Sequence, residues 1–504
     1  MGINVSKVPF VVWPDTTEEE QLKALESSEQ LKEFKAYRDK IRNHKYTPKY
    51  HFYAPDGNIN DPNGFCYKNG YYHMFYQQYP PVDPRQHWGH AISKDLMHWK
   101  DLPTAIYPDP EKCCFSGSAL VEDNRVLAMY HGLELGNMIA ESKDPLLLNW
   151  SKLTNDAVIK IEEGTPYRVF DPHLRKEEDG YYALSGVFRE TEIGRRFCID
   201  QFFSEDLVNW TYIGEFMDEN IFLTMHNDGA CPYFVHMKDD QYCLLHFSHE
   251  TGPHIYSGTY NKVTHKFKPH HHCGLSMECP GAGSFNAPSV IPNGDGSAYI
   301  VFNLCEGRYD DPEYPRKGCM SMVYELWLGR RNEPYIVPLK DIGSLHKDVL
   351  YSGNFKVEAG SEFEVPARGR ALDIYLNVDL SKASGFTLDV FRSEKERTSV
   401  KFSQRYRAWR DRAYVTIDTS DASLDPLKMG RTVETIAVNG CGDGGTLDLR
   451  VFIDYCTVEV FCNGAVICSM TYPSLPESDK IFVRAGSGDV EVKNMVVWEM
   501  DEII

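Results

Sequence analysis

Two aspartates of this chain stand directly before proline in matching surroundings, Asn60-Asp61-Pro62 and Phe170-Asp171-Pro172. Each step precedes a hydrophobic strand signal by eight or nine residues, at Gly70-Tyr71-Tyr72-His73-Met74-Phe75 and Gly180-Tyr181-Tyr182-Ala183-Leu184. The arrangement recurs without the acid at Ala230-Cys231-Pro232 and Asn286-Ala287-Pro288, and a related run follows Phe115-Ser116-Gly117-Ser118. Carboxylates at equivalent points of a radial repeat converge on its centre. They do not suit metal capture, because these segments bring no matching set of histidines. The plainer reading of an Asp-Pro step is a turn residue capping a strand.

The elements that must position these acids are legible as a repeat. Five strand runs begin at Gly70, Asn124, Gly180, Gln241 and Ser297, spaced 54, 56, 61 and 56 residues apart. A strand-built period of that size predicts the blades of a β-propeller. A second repeat, Ser93-Lys94-Asp95-Leu96-Met97-His98-Trp99, returns at Ser142-Lys143-Asp144 with Trp150 and at Ser204-Glu205-Asp206-Leu207-Val208-Asn209-Trp210. It is expected to be scaffold, a turn whose Asp caps backbone amides and whose Trp packs between blades. The stretch from about Thr16 to Arg42, rich in Glu, Lys, Leu and Ala without Gly or Pro, predicts one or two amphipathic helices. Strand patterning then runs from His51 to about Arg331, followed by a connecting stretch around Asn332 to Leu350. Beyond it, alternation at Ala371–Val378 and Leu447–Asp454 predicts a β-sandwich. The expected organisation is all-β: a helical extension over residues 1–48, a five-bladed propeller over 49–335 and a sandwich over 350–504.

Composition excludes several classes. A formal charge of −20 over 504 residues argues against nucleic-acid and anionic-membrane partners. The 30 Tyr, 26 Phe and 8 Trp suit β-sheet and also sugar stacking. The 14 cysteines show no CxxC or zinc-like spacing, and with no signal-peptide pattern a reducing, cytoplasmic setting is expected. His270-His271-His272 beside Cys273 is expected to be an exposed loop, not a metal site. No cofactor or metal is expected.

Together the motifs resemble glycoside hydrolase family 32, the invertase, levanase and inulinase group. Asn58-Ile59-Asn60-Asp61-Pro62-Asn63-Gly64 is similar to that family's Trp-Met-Asn-Asp-Pro-Asn-Gly signature, with Asn58 in place of the Trp. Phe75-Tyr76-Gln77, Trp88-Gly89-His90-Ala91 and Phe115-Ser116-Gly117-Ser118-Ala119 resemble its sugar-pocket segments, and Leu449–Asp454 with Val458–Phe461 its sandwich signature. The resemblance implies a five-bladed propeller, then a sandwich. It implies Asp61 as nucleophile of a retaining glycosidase and Asp171 as the carboxylate that binds fructose hydroxyls and steadies the oxocarbenium-like transition state. Asn60, Gln77, Trp88, Phe115 and Ser116 would line the subsite for the attacked sugar; Trp88 and Phe115 could instead pack between blades.

Two positions depart from the family pattern. Phe170 replaces the Arg that normally precedes the second Asp; Arg168, two residues upstream on the same strand face, could partly substitute. Ala230 stands where the family's acid/base Glu of a Glu-Cys-Pro motif is expected. Asp228 shares the strand face of Ala230 and is the candidate donor on geometry, or else a turn residue in Asn227-Asp228-Gly229. Glu278, in Met277-Glu278-Cys279-Pro280, has the motif's letters but the wrong register. The leading expectation is a glycosidase acting on sucrose or fructo-oligosaccharides, with a small carbohydrate partner and homo-oligomerisation left open. The alternatives are a fructosyltransferase, including one that forms or cleaves difructose anhydrides, and a catalytically silent sugar-binding propeller.

Overall fold

The computed structural model describes residues 5–191, 194–218, 228–276, 283–304, 318–404, 412–428, 433–441 and 445–504. Five sheets of four or five strands follow one another along the chain between Ile59 and Pro338, and each is built of consecutive strands. These are the expected propeller blades. The second strands of blades two and five, Val126–Gly132 and Ala298–Leu304, are buried throughout, as runs covered on both faces must be. The Ser-x-Asp turns are scaffold. Asp95 Oδ1 accepts from the amides of Met97 and His98 at 2.9 and 2.8 Å, and Asp206 Oδ1 does the same for Val208 and Asn209. The indoles of Trp150 and Trp210 donate back to Leu147 and Leu207.

The innermost strands share one irregularity. Each advances three residues while its partner advances two: Ile59 pairs Gln78 and Pro62 pairs Tyr76, Cys114 pairs Gly132 and Gly117 pairs Tyr130, Val169 pairs Val187 and Pro172 pairs Ser185. Blade four repeats it from Ala230 to Tyr233 and blade five from Phe285 to Pro288. The extra residue is a β-bulge, which re-aims the side chains within it. The bulged pairs are therefore Asn60-Asp61, Phe115-Ser116, Phe170-Asp171, Cys231-Pro232 and Asn286-Ala287. Gly117 takes the place held by proline in blades one, three and five because a Cβ there would lie 2.0 Å from the Met129 carbonyl oxygen.

The C-terminal part is a pair of six-stranded antiparallel sheets. The two alternating segments singled out in the sequence lie side by side, Leu372 opposite Ile453 and Val378 opposite Leu447. Their inward residues join one apolar core with Val390, Val460 and Val497. Two sequence expectations need correction here. The stretch from Asn332 to Leu350 is not merely a connector: Pro334–Pro338 is the outer strand of blade five, and the first sandwich strand already begins at His346. His270-His271-His272 lies in the strand Lys266–Gly274, where ladder pairing to blade four's third strand separates the rings. His271 bonds the Arg331 carbonyl while His272 bonds His254.

The N-terminal extension forms two helices, α1 (Glu18–Leu25) and α2 (Glu29–Ile41), with Thr17 and Ser28 accepting from backbone amides as N-caps. Arg38 of α2 grips Asp101 of blade one through two bonds of 2.6 and 2.7 Å. The chain then passes a buried clamp. Asp454 of the sandwich accepts from the amides of Lys49, Tyr50 and His51 and from the His51 ring, at 2.7 to 3.1 Å. The other ring nitrogen of His51 lies 3.2 Å from Glu459. Burial by itself would lower the His51 pKa, but the Glu459 charge and the bonds to both acids outweigh it and push it up to about 10. The resulting stability is complete below the ordinary histidine value and is lost as pH rises through 10. Asp454→Ala orphans four buried donors, so denaturant melts at pH 7 should show a loss of about 3–5 kcal/mol, and the difference should shrink by pH 10.

Candidate active site

The bulges of blades one, two and three bring three oxygen-bearing side chains to equivalent points, Asp61, Ser116 and Asp171. Gln77 is the single residue opposite the first bulge, so its amide reaches into the same space. Ser116 Oγ donates to Asp61 Oδ2 at 2.5 Å, and Gln77 Nε2 lies 3.3 Å from that oxygen and 2.7 Å from Ser116 Oγ. Asn60 donates to Gln77 Oε1 at 3.1 Å and accepts from Asn303 at 2.7 Å. Tyr79 lies 3.5 Å from Asn60 and 3.4 Å from Gln77 Oε1, closing the polar side.

Blade four supplies the bridge between the acids. The Cys231 amide donates to Asp171 Oδ2 at 3.1 Å, and its thiol lies 3.4 Å from Asp171 Oδ2 and 3.7 Å from Asp61 Oδ2. Its φ of +49° is unusual for a side-chain-bearing residue. Sequence reasoning did not assign Cys231, Tyr79 or Asn303 to the site. The X-Pro alignment sets Cys231 in the place of Asp61, and only the ladder moves it to that of Asn60. Asn303 offered one signal, a polar residue inside an otherwise apolar buried run.

The remaining candidates fall differently. Trp88 is fully buried and donates to the Phe115 carbonyl at 2.9 Å, so it stands behind the pocket wall and holds that wall in place. Phe115 is half-buried beside His131. Arg168 is exposed and its side chain makes no hydrogen bond among the described residues; its charge is felt by His131 of blade two. It does not reach Asp171 in place of the missing Arg. Phe170 instead stacks on Phe188 at 5.0 Å and packs against an apolar group of Ala230, Cys231, Phe247 and Ala287. One wall of the site is thus apolar where the family pattern has charge. Asp228 is at the rim, bonded through both oxygens to His249: Oδ1 to the backbone amide and Oδ2 to Nδ1, each at 2.6 Å. Glu278 lies outside the described residues. Among those residues no three His, Cys, Asp or Glu side chains are grouped to hold a metal ion.

Electrostatics separate the two acids. Burial raises the Asp61 pKa, opposed chiefly by the Ser116 bond. Burial and then the negative charge of Asp61 push Asp171 up to about 6. A carboxyl whose folded pKa exceeds its unfolded value contributes stability at low pH that is lost as pH rises through 6. Asp171→Asn should therefore stabilise the protein by about 1–3 kcal/mol at pH 7.5 and by almost nothing at pH 4. Urea titrations at the two pH values check this; a variant less stable than the parent at pH 7.5 would contradict it.

Comparison with known proteins agrees with this fold. The N-terminal domain of glycosyl hydrolases family 32 matches residues 51–337, and that family's C-terminal domain matches residues 342–499. The chain is 28% identical to a levanase of Bacillus subtilis, over 91% of this chain and 71% of the levanase. It is 25% identical to a probable sucrose-6-phosphate hydrolase of Psychromonas ingrahamii, over 89% and 80%. Its fold superimposes on fructan 1-exohydrolase IIa from Cichorium intybus with a TM-score of 0.78, at 23% identity over 91% of this chain and 98% of that one. With both domains matched in order across the propeller and the sandwich, the chain belongs to glycosyl hydrolases family 32.

Proposed function

We propose that this chain is a retaining glycoside hydrolase that releases a terminal fructosyl unit from sucrose or a fructo-oligosaccharide, with Asp61 as nucleophile and Asp171 as the transition-state carboxylate. The observation that carries this is the pair of acids on equivalent bulges, each within 4 Å of one thiol and flanked by the Asn60, Gln77 and Ser116 donors. Asp61 meets the needs of a nucleophile. Its bonds favour the anion, and it is the Asp61 charge, after burial, that raises Asp171. Attack on the anomeric carbon gives a fructosyl ester, which water then opens with net retention. Asp171 faces the positive charge that develops on the ring, an interaction strengthened by its dry setting. The activities of the relatives, levanase and sucrose-6-phosphate hydrolase, support a fructoside as substrate and favour neither the transferase nor the silent binding module.

Residues 49–338 would form the catalytic unit, with residues 346–504 as its support and residues 1–48 as a strap. Ten of the twelve described cysteines are buried, as suits reduced thiols packed as small apolar groups in a setting such as the cytoplasm. NMR of the sugar first released from sucrose, inulin-type and levan-type oligosaccharides tests the reaction. The parent should release β-fructose, and Asp61→Asn should lower kcat/KM by about 10³-fold or more. Release of the opposite anomer, or an Asp61→Asn variant with parental turnover, would overturn the assignment.

A further inference from the structure

The site described so far lacks a proton donor for the departing alcohol. Ala230, where a Glu is expected, is buried in an apolar group with Phe247, Ala287 and Cys231, with Phe170 packed against it. The strand pairing shows what lies beyond it. Ala230 is directly opposite Phe247, so the two side chains share a face of the blade. Two residues beyond this terminal ladder pair, just outside the strands, stand Asp228 and His249. Their two hydrogen bonds to one another, backbone amide and ring to the two carboxylate oxygens, hold them together at the rim. The Phe247 and His249 rings are in edge contact at 5.1 Å, so the imidazole continues the wall that Phe170 and Ala230 begin.

We infer that His249 is the general acid/base of this site, held in place by Asp228, and that the pair replaces the carboxyl missing at position 230. The inference rests on the hydrolase assignment above. Asp228 Oδ2 takes Nδ1–H, and Nε2 has no hydrogen-bond partner among the described residues. Only about a third of the His249 side chain is covered, so a leaving group can reach it. Its neighbour Ser248 is fully buried and anchors the turn by accepting from the amides of Glu250 and Thr251. The Asp228 bond raises the His249 pKa to about 9, burial opposing, and the charges of Asp228, Asp171 and Asp61 add to the rise. In turn the His249 charge lowers both site carboxyls, so the ring lies within their field. Water screens part of this at an exposed ring.

The steps balance. As Asp61 oxygen bonds to the anomeric carbon, the carbon–oxygen bond to the alcohol breaks and the Nε2 proton passes to that oxygen. Neutral His249 then takes a proton from the attacking water. The water oxygen displaces Asp61, restoring imidazolium and carboxylate. Asp228 is a positioning residue: it holds the tautomer and does not touch the sugar.

The test compares sucrose with β-fructosyl fluoride, whose leaving group needs no proton, for the parent, His249→Gln, Asp228→Asn, Glu278→Gln and Asp61→Asn. His249→Gln should lose about 10² to 10⁴-fold in kcat/KM on sucrose but stay within about tenfold on the fluoride. A structural role would depress both alike. The groups facing His249 are Asp228 from its own blade and Asp61 and Asp171 from blades one and three. Asp228→Asn should accordingly move the alkaline limb of kcat/KM down by a unit or more. Equal losses on both substrates, or none, for His249→Gln would overturn the inference. So would a leaving-group-dependent loss confined to Glu278→Gln, which would name that residue as the acid. Fluoride hydrolysis that survives Asp61→Asn would instead remove the nucleophile assignment while leaving the His249 comparison intact.

Discussion

Five innermost strands each carry one residue more than their partners can pair, and the site is a consequence of that mismatch. A strand in regular register alternates its side chains between faces, so two neighbours cannot both reach the same space. The bulge breaks the alternation at one height in every blade. Asn60 and Asp61 therefore act together, and Ser116 and Asp171 arrive at matching points without long side chains. The same device sets the spacing of the acids, since each is fixed by backbone and not by a flexible stem. It also explains the bridging thiol: blade four carries Cys-Pro in its bulge, and the cysteine amide turns toward Asp171.

Much of this was legible in the sequence, and what was not has physical reasons. The repeat, the two acids and the paired sandwich strands follow from pattern alone, because period and alternation are set by the blade and the pleat. The position of blade four's proline was harder to read. Aligning X-Pro steps treats Pro232 as the equivalent of Pro62, whereas the ladder makes Tyr233 the equivalent and sets Pro232 beside Asp61. Proline marks a bulge without fixing its phase. Trp88 reads as a pocket residue because its neighbours are, yet its buried indole supports the Phe115 carbonyl. His249 gave no local signal. It belongs to a short turn, and only its folded hydrogen bonds show that it faces Asp228.

Histidines in this fold show how one side chain serves opposite ends. His73 and His90 are buried together, 3.0 Å apart, and burial lowers both below the ordinary value, so they pack as neutral rings. His51 is equally buried but lies between two carboxylates and stays charged. At the funnel rim His249 has a single acid partner and open water on its other side. Burial and the count of acid neighbours, not residue type, decide which of these rings is filler, fastener or proton carrier.

The arrangement of blades has a mechanical consequence. Because every blade is made of consecutive strands, no strand from one end of the chain is woven into the other, and the ring closes along a seam between blades one and five. Across that seam run the Met320 amide to the Phe52 carbonyl at 2.7 Å, the Phe65 amide to Ser289 at 3.3 Å, and Asn303 to Asn60 at 2.7 Å. The sandwich bolts the seam from outside by holding residues 49–51 at Asp454. Heat or tension that parts the ring would begin there, with fewer covalent constraints than any other blade junction. The first casualty would be the Asn60 side of the pocket, while Asp171 and its thiol, deep among blades three and four, would still be in register.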